Sequence, residues 1–253
     1  MSKNSLRVLA IASLGLGVLG LICIPDARAK DEPTGVSTTA LAESDVAFLK
    51  KGLAKKPKDS ELNTLKATAM MLALYAQTNT TGPDAAKAAG QRDQALLIAA
   101  AITKKDFAAA KTALDGLTTA KDGNPKKAVK LHEQHAFDLS ELMAQFSLGR
   151  SGGRHIEADL KAQAAKLTDV KLAGELGARV ATIGQYAALM PSTEAVGAKK
   201  KKWDDLCTEM IKLGTDAAAE GAKGDKADKP ALAKKLAAVN LNCKSCHDAF
   251  KNN

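Results

Sequence analysis

Near the C-terminus two thiols and an imidazole fall within five residues, Cys243-Lys244-Ser245-Cys246-His247. Two cysteines separated by two residues can each form a thioether with one vinyl side of the same porphyrin, and the adjacent imidazole then reaches the iron as proximal ligand. The spacing reads as the attachment site of one haem c, held by Cys243 and Cys246 and ligated by His247. Two other chemistries use a C-x-x-C pair. A structural zinc site needs four ligands, and no second Cys/His pair at ligand spacing occurs nearby. A dithiol redox site would want a strand–helix context, and no strand pattern precedes the motif.

For both sulfurs to reach one group they must project from one face, and the residues upstream supply that geometry. Leu232, Leu236, Val239, Cys243, Cys246 and Phe250 recur at steps of three and four, one stripe of a helix. Helical periodicity runs through the rest of the chain without giving way to strand alternation. Candidate helices lie near 43–56, 60–78, 84–102, 104–119, 126–148, 155–168, 170–190, 197–220 and 230–251. Pro57, Pro83, Pro125, Pro191 and Pro230 fall at the seams, where a missing N–H costs little, and Asn124-Pro125 reads as a cap and first-turn pair. Only 3% of residues are aromatic against 45% hydrophobic, so Ala and Leu must fill the core, which favours closely packed helices. The expected fold class is all-α.

A C-x-x-C-H motif close to the C-terminus, on the last of several helices and followed by Phe250-Lys251, resembles the class II c-type cytochromes, cytochrome c-prime and its low-spin relatives. The resemblance covers the last third to half of the chain and implies that the C-terminal part is a four-helix bundle. Members usually carry Arg four residues after the haem histidine; Lys251 stands there and keeps the charge without the planar fork. By the same comparison Arg179 and Ile183 have the spacing of a propionate partner and a distal apolar contact that leaves the iron five-coordinate. Some similar helical chains carry Leu-Met-x-x-Phe before a glycine-rich loop. Leu142-Met143-Ala144-Gln145-Phe146 matches that, so Met143 is the first candidate for the sixth ligand, although with Leu139 these residues also form an ordinary core stripe. Met190, Met210 and His155 are further candidates.

The remaining features bound the setting. Residues 1–29 read as a secretory signal peptide, with Lys3 and Arg7, an apolar run from Val8 to Ile24, and cleavage after Ala29 in Ala27-Arg28-Ala29. An exported, periplasmic protein without a stable membrane anchor after cleavage is expected. The chain of 253 residues carries a net charge of +9, and loss of Lys3, Arg7, Arg28 and Asp26 leaves +7. A basic exported protein suits a redox partner with an acidic docking surface; lysines spread over helices without interleaved aromatics do not suit nucleic acid. A homodimer is one arrangement the sequence allows. With Cys23 in the signal and two cysteines on haem, Cys207 is left alone and expected as a small buried apolar residue. Trp203 is expected to pack at a helix start, and Lys199 to Lys202 to form a solvated face or docking patch. His132 and His135, near Asp138 and Glu141, supply only two helical ligands and read as a polar face.

The two halves repeat. A shift of 111 places Ala47, Leu49, Lys50, Ala54 and Lys55 on Ala158, Leu160, Lys161, Ala165 and Lys166, and pairs Leu65 with Leu176, Tyr75 with Tyr186 and Asp93 with Asp204. A shift of 110 pairs Ala128 to Leu131 with Ala238 to Leu241 and puts Glu133 and Ala136 where the second copy has its cysteines, so one haem is expected. The expected organisation is a disordered lead-in over 30–40, a degenerate haem-less repeat over 41–148, and a haem-binding bundle over 154–253, with 126–148 assignable to either. No nucleophile–base constellation, phosphate-binding glycine motif or paired catalytic carboxylates occur, and the chain is not read as an enzyme. Single-electron transfer is the leading expectation. A gas-binding haem protein with Ile183 over open iron and a structural helical protein are the alternatives.

Overall fold

The computed structural model describes residues 38–80, 83–127, 129–133, 139–146 and 153–250. Among them the longer elements are α-helices: α1 (Thr38–Ala54), α2 (Asp59–Thr78), α3 (Ala85–Thr103), α4 (Phe107–Thr119), α5 (Leu139–Met143), α6 (Ile156–Ala165), α7 (Val170–Leu189), α8 (Ala198–Gly221) and α9 (Lys229–Phe250). The fold is all-α. The proposed leader and Lys251 lie outside the described residues. α1 begins at Thr38, so the end of the expected lead-in is helical.

The helix ends have reasons in the sequence. Asp106, Asp169 and Asp228 each accept a hydrogen bond from a backbone N–H in the first turn that follows, from Ala109 at 3.0 Å, Leu172 at 2.9 Å and Ala231 at 3.0 Å. These bonds satisfy donors that a helix start leaves without partners. Gln163 in α6 accepts from the N–H groups of Thr168 and Asp169, both at 3.0 Å, so one helix sets the start of the next. Glu220 does the same between α8 and α9, accepting from Lys223 Nζ and Asp228 N at 2.7 Å each.

α1 to α4 pack around a core that includes Leu49, Leu53, Leu65, Met70, Ile98 and Leu114. α6 to α9 form a second arrangement around Ile156, Leu160, Leu176, Val180, Leu232 and Val239. The tandem is visible in the elements, because α2 and α7 are each 20 residues long and begin 111 positions apart. Leu49, Leu65 and Tyr75 are buried, and so are their counterparts Leu160, Leu176 and Tyr186. The bundles are not sealed from one another, since Ile183 and Tyr186 of α7 belong to the first core.

The stretch 126–148 differs from expectation. It is not one helix: a 3₁₀ turn at Leu131–Glu133 precedes the five-residue α5 and a second 3₁₀ turn at Ala144–Phe146. The local cause is Asn124, whose Oδ1 accepts from Lys126 N at 3.0 Å and closes a turn instead of capping a helix. α4 already packs on α1 and α3 as the fourth helix of the first bundle, the place α9 takes against α6 and α8 in the second. Element order therefore pairs α9 with α4, and the alignment of Glu133 with Cys243 does not survive: Glu133 stands in a 3₁₀ turn, and Ala136 lies outside the described residues.

α7 and α8 approach most closely where small residues face each other. A Cβ at Gly177 would lie 2.8 Å from the Ala217 Cβ and the Gly214 carbonyl, and one at Gly214 would lie 2.6 Å from Ala181 N. Among the described residues no helix is long and apolar enough to cross a membrane.

Candidate haem-attachment site

The motif occupies the last turns of α9. Leu232, Leu236, Val239 and Phe250 are buried, and the stripe they define carries Cys243 and Cys246, both half-buried, while His247 is exposed. The two sulfurs face different packing. Cys243 packs against the second core, and Cys246 against a smaller cluster of Ala187, Ala195, Trp203, Cys207 and Phe250. Trp203 anchors that cluster: its indole N–H donates to the Ala187 carbonyl at 3.0 Å, and its ring meets Phe250 edge-on at 5.1 Å. Asn242 Nδ2 donates to the Leu206 carbonyl at 3.3 Å, which pins α9 to the backbone of α8 one residue before the motif. On the outer side Lys244 pairs with Asp248.

The electrostatics keep the sulfurs neutral. Burial pushes the Cys243 thiol up to about 11, with Cys246 adding to the effect, and pushes Cys207 up to about 12. Burial also raises Cys246. The motif sits at the C-terminal end of its helix, where the carbonyl dipoles disfavour a thiolate, whereas a redox dithiol gains from a helix N-terminus. Among the described residues no group of three His, Cys, Asp or Glu side chains could hold a metal ion. The raised thiols thus depart from a low-pKa redox dithiol. They fit thioether attachment, which consumes neutral thiols and leaves the following imidazole open.

The other expected residues are dispersed. Arg179 is buried and its guanidinium donates to Asp45 and to Tyr75 Oη, so its hydrogen bonds are taken up inside the fold. Ile183 is buried in the first core, and Met143 and Met190 pack against that same core; Met210 packs against the second. Neither Ile183 nor Met143 belongs to the apolar packing around Cys243 or Cys246. Leu139, one turn before Met143, does reach the Trp203 cluster. Lys66 pairs with Glu141 and holds α5 on α2. His132 lines an apolar recess of about 280 Å³ between the ends of α2 and α7, and its proposed companions His135 and Asp138 lie outside the described residues. Lys199, Lys200 and Lys201 pair with Glu194, Asp204 and Asp205 at 3.5, 2.9 and 2.6 Å, which suits a solvated face more than a concentrated docking patch.

The fold brings Cys207 to the motif and sets the start of α6 against the core on which Cys243 packs. His155 immediately precedes α6, with a left-handed φ of 61°. Its neighbour Ile156 lies in the core on which Cys243 packs, and the Glu157 charge adds to the rise of the Cys243 thiol. Cys207 joins the cluster around Cys246. Cys207 and the start of α6 are distant from the motif in sequence, and the run of α6 and α8 against α9 brings them alongside it. No family model matches the chain, and no curated protein or solved structure matches it.

Proposed function

We propose that this protein is an exported c-type cytochrome that carries one haem c at the end of α9 and passes single electrons. The observation that carries the reading is the division of labour on the last turns of α9: Cys243 and Cys246 turn inward as neutral thiols and His247 stays exposed beside them. Cys243 and Cys246 would hold the group by thioethers, with His247 as the proximal ligand. Bound there, the group supplies an iron that gains and loses one electron at a time.

The chain's own residues do the rest. Trp203 and Phe250 pack ring surface against Cys246, which stays half-buried. The hydrogen bond from Asn242 to the Leu206 carbonyl and the edge-on contact of Trp203 with Phe250 fix the roll of α9 on α8 and so the direction in which His247 points. Export is supported by the basic, apolar and Ala-x-Ala segments of residues 1–29. A charge of +7 after Ala29 supports an acidic partner, with attraction screened over about 8–10 Å. Met143 stands as the sixth-ligand candidate on the Leu-Met-x-x-Phe resemblance, and Lys251 as a propionate partner.

The test is production in a host that attaches haem, followed by intact mass and absorption of the reduced protein with and without carbon monoxide. One haem mass that survives denaturation and a low-spin spectrum indifferent to the gas are expected. A colourless product with Cys243 and Cys246 open to alkylation overturns the reading, and an immediate shift with carbon monoxide replaces electron transfer by gas binding.

A further inference from the structure

Two contacts fix the register of α8 against α9. Trp203 meets Phe250 at 5.1 Å, and Asn242 reaches the Leu206 carbonyl at 3.3 Å, so the start of α8 lies against the end of α9 and the helices run antiparallel. One turn inward from Trp203 is Cys207, and one turn inward from Phe250 is Cys246. Both pack in the same cluster with those two rings. Cys207 therefore faces Cys246 across the interface, while Cys243 packs in the neighbouring core. The backbones are close at this level, because a side chain as short as Asn242 spans from one to the other.

We propose that Cys207 and Cys246 form a disulfide between α8 and α9 in the chain that has not received haem, so that the Cys246 sulfur has two mutually exclusive covalent fates. The second fate rests on the function proposed above; the cross-link rests on the register alone. The oxidant is an external disulfide, either oxidised glutathione or the disulfide form of a thiol oxidant in an exported compartment. The sulfur of half-exposed Cys246 attacks it, releasing one thiol and leaving a mixed disulfide; the sulfur of Cys207 then displaces the second thiol. Two protein thiols lose two electrons and two protons, and the external disulfide takes up both. Burial of both sulfurs keeps closure slow, which leaves time for haem attachment to compete. Once closed, the bridge must be reduced before Cys246 can form a thioether.

The experiment uses the full chain purified without haem, incubated with oxidised glutathione, alkylated, and mapped by mass spectrometry without reduction. A single peptide pair joining Cys207 to Cys246, with Cys243 alkylated, is expected. The pair is lost in Cys207→Ser and kept in Cys243→Ser. A Cys243–Cys246 bridge, a lasting glutathione adduct on Cys246, or alkylation of all three cysteines overturns the proposal. Haem mass in a maturation-competent host is read separately: its absence overturns the cytochrome reading, whereas the peptide map alone decides the cross-link.

Discussion

Arg179 donates to both carboxylate oxygens of Asp45, at 3.0 and 2.6 Å, although 134 positions separate the two residues. The same guanidinium donates to Tyr75 Oη at 3.4 Å, and Arg154 pairs with the same carboxylate while lying over the Phe48 ring at 4.6 Å. One fully buried aspartate thus gathers α1, α2, α7 and the entry to α6. The resemblance to cytochrome c-prime would send Arg179 to a haem propionate. Here Asp45 already neutralises it where water is excluded.

Removing one member of that group leaves an uncompensated buried charge. Asp45→Ala is expected to lower stability by about 3–5 kcal/mol, read from the midpoint of urea unfolding by circular dichroism, because both guanidiniums lose their counter-ion. Arg179→Met together with Asp45→Ala should recover part of the loss. An Asp45→Ala midpoint equal to that of the parent chain would show that the cluster does not hold the two halves together.

The α7–α8 contact offers a graded test of close packing. A methyl at Gly177 meets backbone and Cβ atoms at 2.8 Å that cannot turn away, whereas at Gly184 the nearest atoms are side-chain carbons of Ile211 and Met210, at 3.1 and 3.2 Å. Gly177→Ala is expected to cost about 1–3 kcal/mol. Gly184→Ala should cost clearly less, the gain in helix propensity offsetting a small repacking. Equal thermal midpoints for the two variants would mean that the helices separate more readily than their packing implies.

Periodicity made the long helices legible, because most bury one face, as α7 and α9 do, and several end at a proline seam or an aspartate cap. It misled over 126–148, where apolar residues recur at helical steps but α4 has already closed the first bundle and Asn124 turns the chain locally. The candidate site in α9 was legible because the proposed attachment would need two sulfurs and an imidazole close together on one helix. The place of Cys207 beside Cys246 was not, because it arises from antiparallel packing, which leaves no fixed spacing in the chain. The Arg179–Asp45 pair was hidden for the opposite reason: the spacing of Arg179 to Ile183 matches a family pattern, while Asp45 lies far away in sequence.

Glu220 gives the turn between α8 and α9 a pH dependence of known sign. Its hydrogen bond from Lys223, joined by the one from Asp228 N, holds the carboxyl below the usual glutamate range. A depressed carboxyl contributes stability that is complete above its unfolded value and is lost as pH falls through the lower, folded one. Acid unfolding should therefore begin below the ordinary glutamate range, and Glu220→Gln should flatten that limb while lowering stability at neutral pH. Circular dichroism across an acid titration checks it; identical acid limbs in the two proteins would remove Glu220 from the account.

The sixth ligand can be separated from core packing by choosing substitutions that keep the fold. Met143 is half-buried against the first core, so Met143→Ala would combine a lost sulfur with a cavity. Met143→Leu keeps the volume and is expected to change stability by less than about 1.5 kcal/mol, measured on the haem-free chain. If the thioether closes the iron, the same variant loaded with haem becomes responsive to carbon monoxide where the parent is not. His155→Gly is the matched control: the left-handed φ of 61° suits glycine, so removing the imidazole relieves backbone strain. A parent-like spectrum in Met143→Leu together with a gas-responsive one in His155→Gly would move the sixth ligand from α5 to the N-terminus of α6, beside the core on which Cys243 packs.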